Sequence, residues 1–200
     1  MENRIEAFFF GEGENISTFE NKDKTCLLVI DLQQKLMPSI DNAEQVVKNT
    51  EALIEAFDIY DMKKVVTEQY PKGLGESIES IKKLVDDENI YQKTSFDSIT
   101  EEVYNFLEGN DIKNVIIAGA ESHVCVFQTV RRLLLQDRHV FVVEDAVGAY
   151  DSRKKKLGIK AMRDMGAAIV NTEMVLFDLA EDSKSEHFKE ISNLVKKIRS

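Results

Sequence analysis

Cysteine is rare in this 200-residue chain, and its two thiols, Cys26 and Cys125, are too few for a disulfide framework. The reducing cytosol, where free thiols persist, is the expected compartment. Long apolar runs are missing as well. None approaches the ~20 residues needed to cross a bilayer. The opening stretch MENRIEAFFFGEGEN is acidic and has neither the basic and apolar regions of a signal peptide nor the Arg-rich character of a transit peptide. The sequon Asn15-Ile16-Ser17 therefore carries no weight. Positive charge is in deficit, with 26 Lys and Arg against 36 Asp and Glu, a net −10. A sequence-independent grip on nucleic acid or anionic membrane needs clustered cations, so neither partner is expected. The basic runs at 153–156 and 196–199 read as solvated helix faces.

Histidine is equally sparse. His123, His139 and His187 fall on separate elements, which argues against a structural zinc site; neither metal nor cofactor is expected. The chain lacks G-x-S-x-G, a Walker A loop, H-E-x-x-H and C-x-x-C. Gly73-Leu74-Gly75 lacks the remaining glycine of a dinucleotide fingerprint. Only nine glycines and two prolines are present, which suits long helices and short loops.

What is there reads as one soluble domain, with 43% hydrophobic and 31% charged residues. Apolar, β-branched runs recur between stretches of helical spacing. TCLLVID (25–31), KKVVTEQ (63–69), NIYQKTSF (89–96), KNVIIAGA (113–120), RHVFVVEDAV (138–147) and AAIVN (167–171) are strand candidates. Helical periodicity covers 41–61, 75–87, 98–109, 126–136, 151–166, 172–180 and 185–200. Such alternation predicts a three-layer α/β/α, Rossmann-like domain over residues 21–200, its six-stranded, mostly parallel sheet covered by helices on both faces. Residues 1–20 read as an N-terminal arm, loose or docked on a neighbour.

In parallel sheets, ligands bind beyond the carboxyl ends of the strands. The residues due there are Asp31 after the first strand, Glu68 and Gln69 after the second, Lys93 and Phe96 at the third, Glu121, Ser122, His123 and Cys125 after the fourth, and Glu144 and Asp145 after the fifth. Cys125 stands where an apolar run gives way to a helix. There the helix dipole and unpaired N–H groups favour a thiolate and could hold an oxyanion. A neighbouring lysine would lower its pKa, and a carboxylate could take its proton. Asp31 and Lys93 are candidates for these roles. Each has a plainer reading: a small buried thiol, a loop-capping Asp, a surface Lys. Cys26, inside the first strand, reads as core, as does His139 within the sheet.

LLVIDLQQKL, VVTEQYPKGLG, QKTSFDS and AGAESHVCVFQTV, taken in order, resemble the isochorismatase-like cysteine hydrolase superfamily, and within it the isochorismatase-domain-containing proteins. The similarity runs on through VFVVEDAVGAYDSRKKKLGIKAMRDMGAAI. Only the first twenty or so residues lie outside it. The resemblance implies a six-stranded parallel sheet flanked by helices and a triad of Asp31, Lys93 and Cys125. Asp31 would take the thiol proton and later activate water. Lys93 would hold thiolate and carboxylate in register. Cys125 would attack an amide-type carbon to give a thioester. Backbone N–H groups of Cys125 and the preceding loop, Glu121 and Ser122, would hold the oxyanion, and Tyr70, Phe96 and Leu74 would wall a small apolar pocket. A non-proline cis peptide would fall near Ala120–Ser122, and the protein would be a homo-oligomer, a dimer or larger.

The departures also inform. Isochorismatases that cleave a vinyl ether generally lack the cysteine, so Cys125 points to C–N hydrolysis. Nicotinamidases carry an Asp and His metal cluster after the first catalytic Asp, and no histidine precedes His123 here. Lys72 is a candidate partner for a substrate carboxylate. The alternative reading is a non-catalytic or weakly catalytic module that binds a protein partner. A peroxide-sensing thiol is the third, and it would want a resolving cysteine that Cys26, deep in a strand, does not supply.

Overall fold

The computed structural model describes residues 21–200, and the arm expected over 1–20 lies outside them. All six predicted strands form: β1 Thr25–Ile30, β2 Lys63–Gln69, β3 Ile90–Lys93, β4 Asn114–Ala120, β5 His139–Gly148 and β6 Ala168–Val170. They pair in parallel in the order β3-β2-β1-β4-β5-β6. Every residue of β1 and β4 is buried. That is why these strands read as unbroken apolar runs: helices cover both faces, so neither face calls for polar side chains.

The helices are α1 Ala43–Ile59, the short α2 Pro71–Leu74 and α3 Glu79–Lys82, α4 Glu101–Gly109, α5 Cys125–Leu135, α6 Ser152–Asp164, α7 Thr172–Ala180 and α8 Phe188–Arg199. Alternate strand residues sort into two cores. Leu27 and Val29 of β1 and Ile116 and Ala118 of β4 pack with α1, α7 and α8. Cys26, Leu28, Ile30, Val115 and Ile117 pack with α4, α5 and α6 on the other face. Local chemistry sets several helix starts. Thr100 caps α4 by accepting from the Val103 N–H, Asp151 caps α6 through the Arg153 and Lys154 N–H groups, and Asn171 caps α7 through Met174.

One expected helix is cut short. Of 75–87, only Glu79–Lys82 is α-helical. Residues 75–78 are instead held as an extended strip against the loop after β1. Gln34 donates its N–H to the Glu76 carbonyl, Ile78 donates to Leu32, and Ser77 donates to Glu68 Oε1 at 2.7 Å. Tertiary hydrogen bonds to a buried carboxylate outweigh the helical spacing of Ile78 and Ile81. Among the described residues no helix is long and apolar enough to cross a membrane.

Candidate active site

The chain moves outward from β1 to β2 and β3, then returns to place β4 on the other side of β1. The crevice between the carboxyl ends of β1 and β4 is the topological switch point, where the flanking loops part and leave room for a ligand. Asp31 follows β1 there, and Cys125 follows β4 after a four-residue turn. The two strands come unusually close at this end. Gly119, at φ +125°, stands so near Ile30 that a Cβ would lie 2.1 Å from the Ile30 carbonyl oxygen. Only glycine meets both demands.

Asp31 takes a left-handed backbone, φ 54°, a conformation that Asp tolerates better than most residues. Its N–H donates to the Thr67 carbonyl at 3.0 Å, and its own carbonyl accepts from Gln33 at 2.9 Å. The turn aims its carboxylate inward. Lys93, the last residue of β3, reaches over β2 to put its Nζ 2.7 Å from Asp31 Oδ2, and both side chains are wholly buried. The ammonium also donates to Gln69 Oε1 at 2.8 Å and faces the Ser95 carbonyl at 3.3 Å. Its three protons are thus occupied, as a buried ammonium requires. Thr67 Oγ1 donates to the other carboxylate oxygen, Oδ1, at 2.9 Å.

Cys125 is the first residue of α5 and is 7% exposed. Its thiol hydrogen-bonds the Asp31 carboxylate. The resting thiol is not the depressed-pKa thiolate expected from its place at a helix start. Burial, then the negative Asp31, push it up to about 12, with Lys93 pulling the other way. Burial also raises Asp31, against the opposing pull of Lys93, the thiol and Thr67. Two acids share one buried site, and a proton between them needs only a short transfer.

The turn before Cys125 contains a cis peptide, Ala120–Glu121. The Glu121 carbonyl accepts from Val124 at 3.0 Å and Val126 at 3.3 Å. The Cys125 N–H between them donates to no acceptor among the described residues. Gly158 of α6 backs this turn, where a Cβ would stand 2.8 Å from the Ser122 carbonyl oxygen.

The expected residues separate into two groups. Asp31, Lys93 and Cys125 come together. Ser122 is buried, but its N–H is already committed to the Gly148 carbonyl at 2.7 Å, which removes it as an oxyanion donor. The Glu121 carboxylate accepts from the Tyr150 N–H at 3.0 Å and so turns toward the β5–α6 connection. Tyr70 and Phe96 flank the Lys93 end through their backbones, but both are 53% exposed, a rim rather than a closed wall. Lys72 is exposed. The His123 ring lies 5.8 Å from the Tyr150 ring. Gln69, expected at this edge, holds the Lys93 ammonium. Thr67, Ser98 and Thr129 are additions to the expected set: Thr67 reads simply as a strand residue, and only its pairing with Ile30 brings it beneath Asp31.

Residues 25–174 match the model of the isochorismatase domain. Isochorismatase family protein 1A of Dictyostelium discoideum is 34% identical over 178 residues, covering 86% of each chain. Isochorismatase domain-containing protein 2 of Danio rerio is 34% identical over 170 residues, covering 84% of this chain and 85% of its own. Among solved structures, the MAR1 ribonuclease of Caenorhabditis elegans superposes with a TM-score of 0.84 at 33% identity, covering 88% of this chain and 91% of that one. With the matched domain spanning the whole sheet and both faces of the crevice, this chain belongs to the isochorismatase family.

Proposed function

We propose that the protein is a cysteine hydrolase that opens a small amide-type C–N bond through a thioester on Cys125. The observation that carries this reading is the buried contact of Lys93 Nζ with Asp31 Oδ2 at 2.7 Å, on the same carboxylate that the Cys125 thiol hydrogen-bonds. A thiol held near 12 is a poor nucleophile by itself, but a carboxylate in contact with it can accept its proton as sulfur attacks. The carbonyl oxygen, now an oxyanion, takes the free N–H of Cys125. The C–N bond breaks as Asp31 returns its proton to the departing nitrogen. Water then gives a proton to Asp31 and attacks the thioester, and the thiol leaves with that proton. Lys93, in contact with the carboxylate, offsets the buried negative charge as it passes between oxygen and sulfur.

The reading includes no cofactor or metal and a small-molecule substrate. The C. elegans relative is named a ribonuclease. In this chain a net charge of −10 and a nucleophile only 7% exposed favour a small amide over a polyanion. We place the protein in the cytoplasm, on the strength of its two free thiols. The reading also includes self-association into a homo-oligomer, which light scattering of the purified protein tests.

The test of the reaction is trapping. Incubated with a panel of small amides and quenched in acid, the wild-type chain is expected to gain an acyl mass on the Cys125 peptide that neither Asp31→Asn nor Cys125→Ser gains. A Cys125 that no amide acylates and iodoacetamide alkylates no faster in wild type than in Asp31→Asn overturns the hydrolase reading and leaves a binding module.

A further inference from the structure

Behind the triad lies a closed run of buried hydroxyls. Thr67 Oγ1 donates to Asp31 Oδ1 at 2.9 Å and lies 3.2 Å from Ser98 Oγ. The Ser98 N–H donates to Thr129 Oγ1 at 2.9 Å, and Thr129 Oγ1 donates to the Cys125 carbonyl at 2.7 Å. Asp31, Thr67, Ser98 and Thr129 are each 0% exposed. The run thus leads from the carboxylate to the backbone of the nucleophile through β2, the loop between β3 and α4, and α5, with every side chain on the way buried.

Proton counting gives the run a direction. A hydroxyl has one proton to donate. Thr67 gives its proton to the ionised Asp31, so the Ser98 proton must go to Thr67. Thr129 gives its own to the Cys125 carbonyl, so it accepts from the Ser98 backbone. Every donor has one acceptor, and no member can reverse without orphaning a buried polar group. An apolar core in this position would be satisfied by valine and alanine. The hydroxyls have one shared target, the Asp31–Cys125 pair.

Resting on the hydrolase reading, we infer that Thr67 and Ser98 are positioning residues: their one-way hydrogen-bond relay fixes Asp31 Oδ1 as a permanent acceptor and sets the basicity of the carboxylate that takes the Cys125 proton. The groups facing that carboxylate are Lys93 from β3, Thr67 from β2 and the Cys125 thiol from α5, with Glu121 acting on the thiol from the turn. Of these, Thr67 alone is neutral throughout and donates to Oδ1. Its removal takes a donor from the ionised form, which raises the proton affinity of Asp31.

The readout is the rate of Cys125 alkylation by iodoacetamide against pH, with no substrate needed and each variant's melting followed beside it. Below the pKa of the carboxylate, Asp31 is protonated and cannot receive the thiol proton, so the rate falls along an acid limb. Thr67→Val, nearly isosteric, is expected to move that limb up by about one pH unit, the size of a lost hydrogen bond to a charged group. Thr67→Ser keeps the donor and should leave it within a few tenths of a unit. Ser98→Ala should move it in the same direction by roughly half as much, and it reports independently should Thr67→Val not fold. An acid limb unmoved in the folded variants, with Asp31→Asn still abolishing the rate, overturns the relay and spares the hydrolase. A wild-type Cys125 indifferent to Asp31→Asn removes both.

Discussion

Two thiols sit in the same core layer of this molecule, on opposite ends of the sheet. Cys26 stands near the amino end of β1, and Cys125 beyond the carboxyl end of the adjacent β4. Both are buried, and both are pushed up to about 12, first by burial. The resemblance ends with their surroundings. Cys26 has only a weak contact to the Leu27 carbonyl, at 3.5 Å, and the electrostatic influences next in line, from Arg138 and Lys63, are cationic. Cys125 has a carboxylate in contact and a lysine behind it. A raised pKa thus does not set the two thiols apart. The carboxylate beside Cys125 does, and under the proposed reaction it is the proton acceptor.

The largest expected effect removes that acceptor. Asp31→Asn should make Cys125 behave as Cys26 does, lowering its alkylation and any amide turnover by about 10²–10⁴-fold, the usual worth of a positioned general base. Peptide mass mapping after timed labelling distinguishes the two thiols. Equal labelling of Cys125 in wild type and variant would erase the contrast between them.

The next effect is on stability. Lys93→Met strands the Asp31 carboxylate in the core without its counter-ion, and the loss should be about 3–5 kcal/mol in urea unfolding. Asp31→Asn combined with Lys93→Met leaves no buried charge and should recover most of it, since a neutral pair needs no compensation for lost hydration. A double variant as unstable as the single one would mean that Lys93 supports the fold by packing rather than by charge. At Cys26, where no ion pair exists, no such pattern of loss and recovery is expected.

Gly119→Ala sharpens the comparison by disturbing one end of the β1–β4 seam. Its Cβ would press on the backbone of Ile30, just before Asp31, while Cys26 at the far end stays in register with Val115. The strained φ and the clash together predict a loss of about 3 kcal/mol. Cys125 labelling should slow, and Cys26 should stay protected in the native protein.

The sheet, its parallel pairing and its cover were legible because buried strands between periodic helices leave few other arrangements. The meeting of Asp31, Lys93 and Cys125 was legible in part, because strand ends are where ionisable groups gather, and the family resemblance supplied the choice among them. What was not legible depended on through-space partners. The helix expected over 75–87 yields to hydrogen bonds with the loop after β1 and with Glu68. Ser122 was read as an oxyanion donor, but the Gly148 carbonyl, 26 residues away, takes its N–H. Thr67, Ser98 and Thr129 carry ordinary local preferences, and nothing in their neighbours along the chain says that they meet around Asp31. The helix terminus and a neighbouring lysine pointed to a lowered thiol pKa, and burial beside a carboxylate outweighs both.

The smallest effect tests the premise that the two thiols are equal in everything but chemistry. An ordinary cysteine ionises near 8.5 in the unfolded chain, whereas both thiols are held near 12 in the folded one. Between these values the unfolded state has lost its thiol protons and the native state has kept them. Stability therefore falls as pH rises through this window, by about 1.4 kcal/mol per pH unit for each thiol. Below about pH 8 both states are protonated and neither thiol contributes to the slope. Cys26→Ala and Cys125→Ala should each remove one share of the alkaline decline, measured by urea unfolding between pH 9 and 11, beyond a loss at neutral pH of about 1 kcal/mol for the vacated space. Equal flattening in the two variants, set against unequal labelling at neutral pH, would locate the difference between them in Asp31. Flattening by Cys26→Ala alone would mean that Cys125 ionises early, and the helix terminus, rather than the carboxylate, would then be the source of its reactivity.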